Sequence, residues 1–424
     1  MSHLTKNLSV AAVLTATTNA LAIAQTAPLP EPKAQQMTDA YYSAFGDNHS
    51  RAVHAKGILF EGTFTPDPAA RSITKAKLFA LSTAAVLGRF SNFTGIPTIP
   101  DNIGDATPRG LALKFTVPGD SEVDIVMHSF DGFPVKTAAE FAQLLVAIGA
   151  SGKDAPKPTP LDKYLASHPI AKTFLTTQKP PPVSFATTAF FGVNSLKFTN
   201  AQGQPTHIRY RVMPVAGEQY LDAAALKTKD TNYLQSDIKE RLAKGPVSFI
   251  WYAQIAEKGD IIDDPSIAWP TTRKLVKLGT VTITGLVPDE ASADRKTLFL
   301  PGNLPDGMQT ADRMLDVRNT ALSALVPPSS MTKSNRSQEG NAQSGQSVRA
   351  PRLSAFGTKR TSLVALHMSA FGGKADMART CPSSIRRKFL NQQFSNVGLR
   401  LLVLHYERGD SQGDRHGGRR FGEP

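Results

Sequence analysis

The chain has 424 residues, 41% of them hydrophobic, and a single cysteine, Cys381. It can bury a sizeable core, whereas a disulfide framework or a Cys-rich metal site is excluded. The net charge of +13 is uneven: from Met331 onward sixteen Lys/Arg face six Asp/Glu, so +10 belongs to the tail and the body is near neutral; a specific nucleic-acid partner is not indicated.

The N-terminus carries Lys6 and then LSVAAVLTATTNALAIA, ending in Ala22-Ile23-Ala24. This pattern predicts a signal peptide over residues 1–24; a short N-terminal helix or an uncleaved anchor is the alternative. No later run reaches the roughly 18–20 apolar residues of a membrane span, so a soluble periplasmic or secreted protein is expected. Residues 25–50, with Pro28, Pro30 and Pro32, read as a flexible lead-in. GILFEGTFT, VLGRFSNFTG and GLALKFTV between residues 51 and 117 have the texture of strands. Thr137 and Glu140 form a T-x-x-E capping box before Phe141, Leu144, Leu145 and Ile148, which predicts a helix. Residues 151–162 read as a linker, and LDKYLASHPIAKTFL as a helix broken at Pro169.

Residues 183–290 read as strand-rich again. SLKFTNAQGQPTHIRYRVMPV predicts a hairpin, and VSFIWYAQIA and KLGTVTITGLV two more strands. The body, residues 25–326, is therefore α+β or mainly β. Residues 327–424 are basic, Ser- and Gly-rich and aperiodic, the composition of a disordered tail.

Arg51, Arg89 and Arg109 stand beside small-residue turns, and a guanidinium suits a planar anion or a surface ion pair. His54 in RAVHAKG is, by itself, as compatible with a structural as with a chemical role. Taken together, RAVHAKG, RFSNFTG, ATPRGLALKFTV, VDIVMHSFDGFPVKTAAEF, PVSFATTAFFGVNSLKFTNAQGQ, DDPSIAWP and LFLPGNLPDGMQTADRMLDVR resemble, in order, the blocks of the haem catalases. The closer resemblance is to the short catalase-related peroxidases, and it covers about residues 40–321. It implies a catalase-like antiparallel β-barrel with flanking helices, a haem cofactor, and peroxide reduction with a small-molecule electron donor. A monomer or small homo-oligomer is expected.

By position, the resemblance implies that His54 is the distal acid/base and Ser91 the hydroxyl that orients it. Arg51 and Arg89 match holders of the haem propionates. Phe133 and Phe141 match aromatics at the haem edge, although plain core packing fits the same places. His128 falls where catalases carry an asparagine, which argues against fast dismutation of hydrogen peroxide and for peroxidase turnover. Arg318 matches the arginine four residues before the proximal tyrosine, but the fourth residue onward is Leu322, which has no lone pair for iron. No tyrosine lies between Tyr252 and Tyr406. Three expectations follow: a change of reading frame near Ala321 that removed the tyrosine; a substitute donor from the tail (His367, Cys381, His405 or Tyr406); or a degenerate protein that keeps the pocket and has lost most activity.

Overall fold

The computed structural model describes residues 29–120 and 122–323. The expected signal peptide, the tail with its four candidate donors, and the consequences of a frame change beyond residue 323 lie outside these residues. Eight strands follow one another around a barrel: β1 (Gly57–Pro66), β2 (Ala84–Asn92), β3 (Arg109–Phe115), β4 (Val123–His128), β5 (Phe190–Thr199), β6 (Pro205–Pro214), β7 (Val247–Ile255) and β8 (Leu275–Leu286). Neighbours in sequence pair antiparallel, β8 returns to β1, and a single His128–Phe191 pair joins β4 to β5. Closure returns the sheet on itself, as barrels do to hide their edges, although β4 meets β5 at only that one pair. A short ninth strand, β9 (Met308–Thr310), adds to β5 through Leu196–Thr310.

The strands exist because aromatic and β-branched residues alternate inward along them. The interior is filled by rings: Phe60, Phe64, Phe90, Phe115, Phe190, Phe198, Phe249 and Trp251 are all almost wholly buried. Phe115 stacks on Trp251 with centroids 5.1 Å apart, an offset contact that adds to plain area burial.

Helices form the rest: α1 (Ala34–Phe45), α2 (Ala138–Gly149), α3 (Pro160–Ser167), α4 (Pro169–Thr176), α5 (Ala223–Lys227), α6 (Tyr233–Lys244), α7 (Glu290–Lys296) and α8 (Arg313–Ser323). The T-x-x-E box opens α2 as expected, with Thr137 accepting from the Glu140 amide and Glu140 accepting from the Thr137 amide. The residue before Pro169 leaves the helical region, which separates α3 from α4. Outside the barrel α1, α2 and α4 share an apolar cluster built on Met37, Ala40, Phe45, Phe141, Leu144, Leu145 and Ala171, joined by Met314 and Val317 of α8.

The lead-in reading of residues 25–50 is corrected by α1. Met37, Ala40, Tyr41, Ala44 and Phe45 recur at helical spacing, and the Gln36 side chain accepts from the Lys33 amide at 2.7 Å to open the helix. The same correction applies to α6 inside the segment read as strand-rich: Leu234 and Ile238 bury one face against the barrel core.

A buried polar knot fixes the long β2–β3 connection. Lys56 pairs with Asp101 at 2.8 Å and also donates to the carbonyls of Ile99 and Thr231. Asn92 donates to Asp101 at 2.8 Å, and the Leu234 amide of α6 donates to its other oxygen. Arg109, wholly buried, donates to Asn92 and to the carbonyls of Ala106 and Asp101. Its guanidinium is therefore structural and does not face an anion site.

Candidate active site

His54 lies just before β1, with φ +56°. A left-handed backbone is unfavourable for a side chain with a Cβ and persists only where neighbours enforce it. Here the His54 amide donates to the Phe93 carbonyl at 3.0 Å. Arg89 of β2 completes the clamp, donating to the His54 carbonyl at 2.7 Å and to that of Ala55 at 3.0 Å. Gly57 makes this possible, because a Cβ there would stand 2.4 Å from the Arg89 Cζ.

The imidazole is positioned just as firmly. Its Nδ1 lies 3.0 Å from the Ser91 Oγ, and its ring meets Phe93 edge-on at 5.7 Å. Gly110, across the β2–β3 ladder from Ser91, leaves the necessary room: a Cβ would come within 2.4 Å of Ser91 Oγ and 2.7 Å of His54 Nδ1. Burial first, and then the positive charges of Arg318 and Arg89, lower the His54 pKa to about 3. The ring is neutral near pH 7, the form that accepts a proton.

His128 ends β4. Its Nδ1 accepts from the Phe130 amide at 3.3 Å, and its Nε2 is buried without a hydrogen-bond partner among the described residues. Burial and then Arg318 lower its pKa to about 4. Phe133 and Phe174 flank the ring at 6.2 and 6.1 Å. Phe133 continues to Phe141 at 4.9 Å, and Phe141 is buried in the helical cluster. Phe133 thus borders His128, whereas Phe141 packs as core.

Arg318 of α8 acts electrostatically on both histidines. It retains exposed surface, yet burial is the main cause that lowers its pKa. His54 and His128 are both partly accessible, and the charge of His128 also acts on His54. Leu322 follows four residues later on α8.

The arginines expected at propionates have a protein carboxylate instead. Arg89 Nε donates to Asp294 of α7 at 2.7 Å, and Arg51 Nη2 donates to the Asp294 Oδ1 at 3.1 Å and to the carbonyls of Asp294 and Thr297. The pair of guanidinium groups outweighs the burial of Asp294 and keeps its carboxyl below the usual range. No local motif marks Asp294, which reaches these partners across more than 200 residues of chain.

The residues around His54 fit the distal side of a haem. Gly110 clears the space over which Ser91 orients His54, the rings of Phe93 and Phe133 border the two imidazoles, and the unpartnered Nε2 of His128 offers a polar contact within a buried setting. On the α8 side the expected phenolate is missing at position 322.

The family model described as Catalase matches residues 48–323. A catalase-related peroxidase from Mycolicibacterium paratuberculosis is 35% identical over 280 residues, covering 65% of this chain and 88% of the relative. One from Synechococcus elongatus is 31% identical over 292 residues, covering 67% and 85%. A catalase from Alkalihalophilus pseudofirmus is 25% identical and matches over 42% of its own length. The solved structure of a bacterial catalase superposes with a TM-score of 0.58 at 21% identity, covering 65% of this chain and 56% of that one, which shows the shared fold.

Proposed function

The chain belongs to the catalase family, and from that premise we propose that it is a haem-dependent peroxidase that reduces hydrogen peroxide or organic hydroperoxides at the expense of a small-molecule donor. The observation that carries the reading is the neutral His54 imidazole, clamped through its peptide by Arg89 and through its ring by Ser91, with the charges of Arg318 and His128 acting on it. Haem, when bound, would supply the two electrons that reduce the peroxide, to be restored by the small-molecule donor. The protein supplies the proton movement. His54 takes the proton from the near oxygen of the peroxide and delivers it to the far oxygen, which departs as water or an alcohol. Ser91 holds the ring at one angle throughout, and the Arg89 clamp keeps the ring from swinging with its peptide. His128 Nε2 donates or accepts a hydrogen bond to the bound peroxide, at a position where an amide would serve dismutation better. Export to the periplasm or beyond is part of the proposal and rests on the first 24 residues.

Replacing His54 by Ala tests the role. In rapid mixing of the haem-loaded protein with a hydroperoxide, the variant is expected to cleave peroxide about 10²–10⁴-fold more slowly with haem still bound. An unchanged rate removes His54 from the mechanism. A second reading, a haem pocket without catalysis, is favoured by Leu322; peroxide cleavage no faster than by free haem would establish it.

A further inference from the structure

Behind the Arg89 clamp stands a carboxylate. Arg89 is 4% exposed and divides its donors between two sides. On one side Nε and Nη2 donate to the two oxygens of Asp294 at 2.7 and 3.3 Å. On the other, Nη1 donates to the His54 carbonyl at 2.7 Å and Nη2 to that of Ala55 at 3.0 Å. A guanidinium is planar and its donors are fixed relative to one another. A carboxylate that takes the Nε/Nη2 edge therefore sets where Nη1 points. Asp294 is itself held, because Arg51 Nη2 donates to its Oδ1, to its carbonyl and to the carbonyl of Thr297. Helix α7 buries none of its residues. Polar ties hold it to the barrel instead: those of Arg51 and Arg89, and Glu290, whose Oε1 accepts from the Leu59 amide of β1 at 3.1 Å.

We propose that Asp294 is a positioning residue for His54, acting through Arg89. It aims the guanidinium that holds the His54 peptide left-handed and so keeps the imidazole against Ser91. The Phe93 carbonyl fixes the His54 amide and Arg89 fixes its carbonyl, so the two anchors together set the φ of +56°. Without the carboxylate the guanidinium can turn, and the second anchor is lost. A residue with a Cβ then relaxes towards negative φ, which swings the ring and draws Nδ1 away from Ser91 Oγ. The effect on turnover rests on the haem-peroxidase reading; the effect on the ring does not.

Asp294→Ala in the full-length, haem-loaded protein tests the role, with peroxide cleavage measured per bound haem and a crystal structure of the variant. Cleavage is expected to slow by about 10–10²-fold, with His54 Nδ1 beyond hydrogen-bond distance of Ser91 Oγ. Formate in solution should restore much of the rate, since the Asp294 side chain is 28% exposed and its loss leaves a gap beside Arg51 and Arg89 that a small carboxylate can enter. Glu290→Ala loosens α7 without touching Arg89; it should lower the melting temperature, keep the rate and gain nothing from formate. An equal rate loss in both variants with no rescue by formate would reduce Asp294 to a tie for α7 and overturn the proposal. So would a His54 ring still bonded to Ser91 in Asp294→Ala. A ring that swings while peroxide cleavage is unchanged upholds the hold on His54 and counts instead against the peroxidase reading.

Discussion

Substituting Gly110 by Ala adds one methyl group where the structure has no room for it. The new Cβ would sit 2.4 Å from Ser91 Oγ, 2.7 Å from His54 Nδ1 and 2.9 Å from His54 Cε1. Each contact is well inside van der Waals range, so the hydroxyl and the imidazole must both retreat by about half an ångström or more, with the off-rotamer strain that overpacking brings. Such overpacking costs about 1–3 kcal/mol. The gain from removing a strand glycine, roughly 0.5–1 kcal/mol, offsets part of it. Denaturant unfolding should therefore show a net loss of about 1–2 kcal/mol. Peroxide cleavage should suffer more, because a misplacement approaching 1 Å can cost about 10²-fold in rate. The double variant Ser91→Ala, Gly110→Ala removes the closest clash and should recover stability but not rate, since the imidazole has lost its orienting partner. Wild-type stability and wild-type peroxide cleavage in Gly110→Ala would refute the packing argument around His54.

Asp101→Ala strips the carboxylate from a knot in which Lys56 and Arg109 are almost wholly buried; an uncompensated buried charge costs about 3–5 kcal/mol, measurable by denaturant unfolding, and a loss below about 1 kcal/mol would show that the knot is dispensable. Acid should destabilise the protein through both pocket histidines. Their folded pKa values, about 3 for His54 and about 4 for His128, lie below the ordinary value of 6.5. Below pH 6.5 the unfolded chain takes up protons that the folded one refuses, so stability is complete above that pH and falls as pH drops towards 4. Each ring contributes at most about 1.4 kcal/mol per pH unit. Unfolding free energies between pH 4 and 7 check this: His54→Ala should flatten the slope, and an unaltered slope would count against a neutral buried ring.

Most strands were legible because alternation of aromatic and β-branched residues reports which side of a strand is buried, whereas β4 and the closure into a barrel came only from the resemblance to the haem catalases. The T-x-x-E helix was legible for a similar local reason. His54 and Ser91 could be found because short contiguous blocks carry them. What joins those blocks could not. Arg89 is bonded to the His54 peptide, a contact made by main-chain geometry that leaves no trace in residue type, and Asp294 meets Arg51 and Arg89 only because α7 returns to the barrel rim. Arg109 resembled its anion-binding neighbours in composition, yet its burial in the Asp101 knot depends on the path of the β2–β3 connection. Helix α1 was hidden by the prolines that precede it and by its many small and polar residues, although the spacing of Met37, Ala40, Tyr41, Ala44 and Phe45 was available.

The most direct test of the account is a titration of ferric haem into the purified full-length chain, followed by difference absorption. A haem site beside His54 predicts saturation at one haem per chain, with a sharp break that Gly110→Ala and His54→Ala leave at the same stoichiometry. A linear, unsaturating rise, equal to that seen with an unrelated protein, would contradict it.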